Sequence, residues 1–478
     1  MNEIISQITV YTDKMRGTSP GESFKLSNLL IFKWLKCLFV FLNKSKKITI
    51  VSTITLLLFG VSFLIYSHLA TGDIYLLDPS SFHGRALFFL TISLLIFKLG
   101  FFSFLLVSYS KYKSVKTVSH EQLPKCTVIV PAYNEGKQVY ETLISLSKSD
   151  YPTEKLQLIS IDDGSVDDTW YWIKKAQEEL GQQVIIFKQP KNMGKRAALH
   201  RGFLEATGDI FVTVDSDSIV QPSTIGNLVS PFVTNENCGA VAGNVRVLNK
   251  EKGLIPQMLN VSFAFSFEFI RSAQSLYGSV LCTPGALSAY RKTAVMNCLE
   301  DWLNQTFLGN KTNIGEDRAM TNMILKQGSD VVFQKDAKVY TDIPENYRSL
   351  KKMFTRWERS NVRENIMMTK FAIGNYKDGN KLAPRLILAN QWIKIVFAYP
   401  ALILMLIFLM SKPLLFLSVS FLGILLFSSI PAIFYYLKYN NVKDSLLAYT
   451  YGVFYAFSLF WITPYAIATA GNNKWLTR

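Results

Sequence analysis

The chain has 478 residues, of which 49% are hydrophobic and only 18% charged, with a formal net charge of +16 and a mean hydropathy of +0.19. That is too long for one ordinary domain and too apolar for a purely soluble protein. Nucleic acid is not the expected partner of the positive charge, because no zinc-finger or RNP-like motif accompanies it. The charge asymmetry of a membrane protein accounts for it better, with a pocket for a phosphorylated anion as a second contribution. Five cysteines (Cys37, Cys126, Cys238, Cys282, Cys298) without a CxxC pair, and four scattered histidines, argue against a disulfide framework or a zinc site.

In chain order, residues 1–47 read as a cytoplasmic extension in which "LLIFKWLKCLFVFLNK" (29–44) forms an interfacial helix, a further span being the weaker alternative. "ITIVSTITLLLFGVSFLIYSHLA" (48–70) and "ALFFLTISLLIFKLGFFSFLLVSY" (86–109) reach the length of about 20 apolar residues that a bilayer requires, despite Lys98 in the second. The first lies too deep in the chain for a cleaved signal. Lys44, Lys46 and Lys47 precede this pair and Lys111, Lys113 and Lys116 follow it, whereas Asp73, Asp78 and Arg85 lie between the two runs. The positive-inside rule then puts the N-terminus and everything after residue 110 in the cytoplasm, in a multi-pass protein of the plasma (inner) membrane. The composition turns soluble from about 115 to 380. Apolar runs return at 386–410, 413–437 and 446–470, with no internal repeat or low-complexity linker.

The stretch 115–345 reads as one domain. "CTVIVPAY" (126–133) is a buried strand stopped at Pro131, and "KQVYETLISLSK" is a helix. "LQLISIDDGS" (156–165) is a strand closing on acid, "VDDTWYWIKKAQEEL" a helix, "QVIIFKQP" a strand, "GKRAALHRGFLEA" a helix and "DIFVTVDSD" a strand. This alternation implies βαβ units: a Rossmann-like α/β domain with a mainly parallel sheet, inserted between transmembrane helices. Such sheets bind ligands beyond the carboxyl ends of their strands. Three of these ends carry "PAYNE", "DDGS" and "DSD". Each alone is an ordinary turn; together they mark a site. Asp215 and Asp217 repel each other unless something neutralises them. Hard carboxylate oxygens suit Mg²⁺ or Mn²⁺ carrying a diphosphate.

"TVIVPAYNE", "SIDDGSVDDT", "NMGKRAAL" and "VDSDS" resemble the family 2 glycosyltransferases of GT-A fold. "FEFIRSAQSLYGSVLCTPGALSAYRK" (267–292), "GEDRAMTNMIL" (315–325) and "MFTRWERSNVREN" (353–365) resemble its processive membrane branch, which includes hyaluronan synthases, chitin-type synthases and Nod-factor chitooligosaccharide synthases. The ending "WLTR" (475–478) resembles that of hyaluronan synthases. The resemblance implies that Pro131, Tyr133 and Glu135 line a uridine site, that Asp163 contacts the base and that Lys195 sits near the nucleotide. It implies that Asp215 and Asp217 contact ribose and metal-bound diphosphate, and that Asp317, with Glu316 beside it, is the catalytic base. Arg356 would hold the diphosphate. Trp357, Gly285 and Arg318 would serve the acceptor, and Trp475 and Arg478 would close the nucleotide site. One position departs from the pattern: Met353 stands where the family usually has Gln.

The implied reaction is a single displacement. Asp317 takes the proton of an acceptor hydroxyl as it attacks the anomeric carbon, so an α-linked donor gives a β-linkage. Other readings stay open for several residues. Glu316, Asp317 and Arg318 also fit a solvated cluster at a helix start. Arg356, Arg359 and Arg363 fit a basic face of an interfacial helix, and Trp357 an interface anchor. "TPGAL" (283–287) fits a plain turn, and Phe263–Phe269 fits core more readily than a sugar platform. The plan continues with interfacial helices at 346–385, a membrane bundle at 386–470 and a tail at 471–478. Three plain C-terminal crossings would put Arg478 outside; Pro464 offers a helix to about 462, a break and a re-entrant return. The function expected is a processive inverting β-glycosyltransferase that polymerises and exports a polysaccharide from UDP-GlcNAc, UDP-GlcA or both. The alternatives are a UDP-GlcNAc-only chitin or poly-N-acetylglucosamine synthase, a single-addition transferase to a lipid acceptor, and a scaffold or transporter with a decayed transferase domain.

Overall fold

The computed structural model describes residues 80–472. The runs at 29–44 and 48–70, and Trp475 and Arg478, lie outside the described residues. The sheet and the cleft belong to one compact unit that begins at Ser93.

The four strands expected from the sequence are β1 (Cys126–Ala132), β2 (Leu156–Asp162), β3 (Val184–Lys188) and β4 (Ile210–Val214). They pair in parallel in the order β3-β2-β1-β4. Every residue of β1 and β4 is buried, as a sheet covered by helices on both faces requires. The sheet continues through strands that the sequence reading did not reach: β5 (Ser218–Val220), β6 (Cys238–Val247), β7 (Leu287–Arg291) and β10 (Asp330–Thr341). A separate two-stranded ribbon consists of β8 (Thr306–Phe307) and β9 (Asn310–Lys311). The full order of the eight-stranded sheet is β3-β2-β1-β4-β7-β6-β10-β5, with β7 antiparallel to both neighbours and β5 an antiparallel edge. β6 reads "CGAVAGNVRV", whose small residues give little period-2 contrast. Their size has a packing reason: a Cβ on Gly243 would overlap the Leu287 side chain of the adjacent strand.

Among the described residues, two helices are long and apolar enough to cross a membrane: Phe82–Lys111 and Pro413–Tyr439. At 1.5 Å per residue their 30 and 27 residues exceed a hydrocarbon core of about 30 Å. The runs expected at 386–410 and 446–470 are broken. Leu382–Val396 and Ala398–Ser411 meet at 45°, and Val442–Leu459 and Ile462–Ala468 at 43°. The second break falls just ahead of Pro464, which sits in the first turn of Ile462–Ala468, where a missing N–H removes no helical hydrogen bond.

The helix Tyr347–Ala372 joins these parts, packing on Glu316–Lys326 on one side and on Ile462–Ala468 on the other. Its arginines do not form a surface basic face. Arg359 and Arg363 are 1% and 0% exposed. Arg359 donates to Thr469 Oγ1 at 2.9 Å, and Arg363 donates to the Ile314 carbonyl and to Glu364 at 3.2 Å. In the aromatic run, Phe263, Phe267 and Phe269 are buried, as the core reading expects. Leu254–Ala264 widens into a π-helix at Phe265–Arg271, and Phe263 and Phe267 reach the wall of the main cleft. Such π-turns recur at functional sites.

Candidate active site

A cleft of about 860 Å³ opens at the carboxyl ends of β1, β2 and β4 and extends to the two broken apolar helices. Its size suits a bound small molecule. Pro131, Tyr133, Glu135, Asp163, Lys195, Asp215 and Asp217 line one end. Gly285, Glu316, Asp317, Arg318, Arg356 and Trp357 complete the set expected from the sequence, apart from the tail residues.

The turn after β1 is built for close approach. Asn134 takes a left-handed φ of +53°, and its N–H donates to Ser165 Oγ at 2.9 Å. The N–H groups of Glu135 and Gly136 both donate to Thr169 Oγ1 at 2.8 Å, tying the β1 turn to the β2 loop. Asp163 is buried, and its carboxylate accepts from the N–H groups of Met193 (3.0 Å) and Gly194 (2.8 Å) and from Gln189 (3.2 Å). Burial raises its pKa, and the two backbone N–H groups partly offset this. Next to it Gly164 has φ +74°, and a Cβ there would overlap the backbone of Lys191 and Asn192. Asp163 thus fixes the turn that delivers Lys195.

Lys195 begins its own helix and pairs with Asp215, at the end of β4, and with Glu316 Oε1 at 3.3 Å. Burial alone would lower the lysine pKa; Asp215 and Glu316 outweigh it and raise it. Burial would likewise raise the Glu316 pKa, but Lys195, then its own backbone N–H and Arg356, hold it below the usual value. Gly285 abuts this pair: a Cβ on it would lie 2.8 Å from Lys195 Nζ and 3.5 Å from Asp215.

Glu316, Asp317 and Arg318 start the helix Glu316–Lys326, as the sequence allows, but not as a solvated cluster: Glu316 and Arg318 are both 5% exposed. Asp317 accepts the N–H of Arg318 at 2.7 Å and lies 3.8 Å from Cys282 Sγ. Burial and then the neighbouring Glu316 carboxylate raise its pKa. Arg318 donates to Asn361 and Asn365 at 2.5 Å each, tying this helix to Tyr347–Ala372. Gly315, at φ +72°, lets the two helices touch, since a Cβ there would strike Ser360.

Asp217 accepts from Thr341 Oγ1 at 3.1 Å. Burial, and then the adjacent Asp215, push its pKa up to about 6. Among the described residues, no group of three or more His, Cys, Asp or Glu side chains is arranged to hold a metal. An all-protein cage is therefore not present there. A pair of hard carboxylates that discourage each other's charge does fit Mg²⁺ or Mn²⁺, which commonly binds through one or two carboxylates with phosphate oxygens.

Trp357 is 40% exposed in the cleft, flanked by Phe263 (ring centroids 6.2 Å apart) and Phe354 (5.6 Å). Met353 lines the same wall and is buried. Sequence reasoning missed several lining residues. Thr341 ends β10 and Asp342 follows it. Glu358 directly follows the Arg-Trp pair in the sequence. Lys394, an ionisable residue within an apolar run, carried a usable signal.

A sequence model of the family described as "Glycosyltransferase like family 2" matches residues 124–360. The hyaluronan synthase of Streptococcus pyogenes is 30% identical over 436 residues, 88% of this chain and 95% of that one. An N-acetylglucosaminyltransferase of Azorhizobium caulinodans is 29% identical over 245 residues, 51% of this chain and 61% of that one. A mannosyltransferase from Pyrobaculum calidifontis, solved with GDP-Man and Mn²⁺, superposes with a TM-score of 0.49 at 19% identity, covering 80% of this chain and 97% of that one. The chain belongs to the family 2 glycosyltransferases and is a hexosyltransferase of their processive polysaccharide-synthase kind.

Proposed function

We propose that the enzyme polymerises hyaluronan from UDP-GlcNAc and UDP-GlcA at the cytoplasmic face of the plasma (inner) membrane and passes the product through its apolar helices. The observation that carries this reading is the continuity of the cleft, from the carboxylates at the strand ends to Lys394 and Thr463 on the broken helices. A polysaccharide is too polar to cross lipid unaided, so a path that begins at the site of synthesis has a purpose.

In this reading Pro131, Tyr133, Glu135 and Asp163 form the nucleotide end, and Asp163 acts mainly by holding the turn before Lys195. Asp217 and Asp215 hold the Mg²⁺ or Mn²⁺ that accompanies the donor. When bound, that cation offsets the charge developing on the diphosphate. Lys195 bridges Asp215 and Glu316, and Arg356 adds a guanidinium fork suited to phosphate. Asp317 removes the acceptor proton; its raised pKa suits a base working nearer neutral pH. Trp357 supports the acceptor sugar from below, with Arg318 holding the two helices that present it. Trp475 and Arg478 would close over the nucleotide.

The relative from Azorhizobium supports a second reading, a UDP-GlcNAc-only polymer. Purified enzyme supplied with Mn²⁺ and each nucleotide sugar, alone and together, separates them. A requirement for both sugars is expected. Polymer from UDP-GlcNAc alone selects the second reading, and products with one added sugar end the processive one.

A further inference from the structure

Residue 358 follows Trp357 directly, and its side chain is 11% exposed on the cleft wall. Glu358 Oε1 accepts from Lys394 Nζ at 2.7 Å and from Thr463 Oγ1 at 3.1 Å, and Oε2 accepts from Asn361 Nδ2 at 3.3 Å. The two donors on Oε1 come from different broken helices. Lys394 lies in the last turn before the bend at Phe397, and Thr463 is the second residue after the break that follows Leu459. Asn361 in turn accepts from Arg318, the neighbour of Asp317. One buried carboxylate therefore pins both breaks to the helix that carries Trp357, and a short polar chain links it to the catalytic helix start. Gln391, Tyr451 and Tyr455 line the same end of the cleft.

We propose that Glu358 and Lys394 are positioning residues for chain elongation: their ion pair sets the width of the cleft's inner end and so how long the outgoing saccharide is retained between additions. This rests on the reading that the polymer leaves along the cleft. Mean product length is the ratio of elongation to release. A saccharide gripped by a fixed, polar-lined mouth is released slowly. Removing Lys394 leaves Glu358 as an uncompensated charge in a buried place, and removing Glu358 frees Lys394, whose side chain is 42% exposed, from the helix that carries Trp357; either change unties the two breaks.

The full-length enzyme in lipid nanodiscs tests this through product length and initial nucleotide release, measured together for Glu358→Gln, Lys394→Met and Lys394→Arg. Loss of one charged hydrogen bond to the mouth corresponds to about tenfold in residence, so Glu358→Gln and Lys394→Met should shorten the mean product about tenfold. Nucleotide release should fall far less, and Lys394→Arg, which keeps the pair, should retain long products. Either side of the pair carries the test if a variant of the other fails to fold. Wild-type product length in the folded Glu358→Gln or Lys394→Met variant overturns the proposal. So does a proportional fall of length and release that Lys394→Arg shares, which marks a merely structural role. A wild-type enzyme that forms no polymer in the same assay overturns the polymerase reading instead.

Discussion

Lys195 and Asp215 form an ion pair at the carboxyl end of β4, and the same ammonium reaches Glu316 at the start of the helix that also carries Asp317. One cation thereby joins the strand-end carboxylates, proposed to serve the donor, to the residues proposed to activate the acceptor. It sits between two carboxylates that would otherwise face each other.

Replacing Lys195 with Met removes that cation. Both partners are largely shielded, with side chains 31% and 7% exposed, so the loss leaves uncompensated charge. We expect destabilisation of about 3 kcal/mol, the lower end for breaking a buried pair, together with weaker donor binding. Thermal unfolding and nucleotide binding of the variant measure the two effects.

The metal prediction has a pH signature. The folded-state pKa of Asp217 is about 6, above the ordinary 3.8. Between those values the folded protein binds more protons than the unfolded one, so this residue's contribution to stability falls as pH rises from about 4 through 6. Without divalent cation, wild type should therefore lose melting temperature over that window relative to Asp217→Asn, which lacks the titration. EDTA should abolish transfer and Mn²⁺ or Mg²⁺ restore it in wild type, with restoration needing far more cation in Asp217→Asn.

Asp317 must be deprotonated to accept a proton, and its pKa is raised by burial and by Glu316. Activity should therefore fall as pH drops through a value above the ordinary Asp pKa of 3.8. A kcat/KM profile checks this, and an acid limb at or below that value would refute the assignment.

Gly315→Ala tests the packing that places the helix Glu316–Lys326. Its φ of +72° is strained for alanine, at a cost of about 1–2 kcal/mol, and the added Cβ would strike Ser360. We expect a lower melting temperature and a larger loss of kcat than of donor affinity, because the change displaces Glu316 and Asp317.

The strands β1 to β4 were legible because apolar runs of Val and Ile stop on acid, as at Asp162 and Asp215. β6 and β7 were not, since Ala and Gly fill positions where Gly243 meets Leu287 and alternation has nothing to contrast. Asp317 could be placed only through its motif, since a GED triplet reads equally well as a solvated helix start. The burial of Arg359 and Arg363 was invisible for the opposite reason. Evenly spaced arginines read as a surface stripe until Thr469, Ile314 and Glu364 are brought to them from elsewhere in the chain.

Wild type and Asp317→Asn compared side by side with UDP-GlcNAc, UDP-GlcA and Mn²⁺ test the account most directly, by product length and by donor binding. The account predicts long polymer from wild type, and from the variant intact donor binding with transfer slowed by about 10²–10⁴. Polymer from Asp317→Asn at the wild-type rate would contradict it.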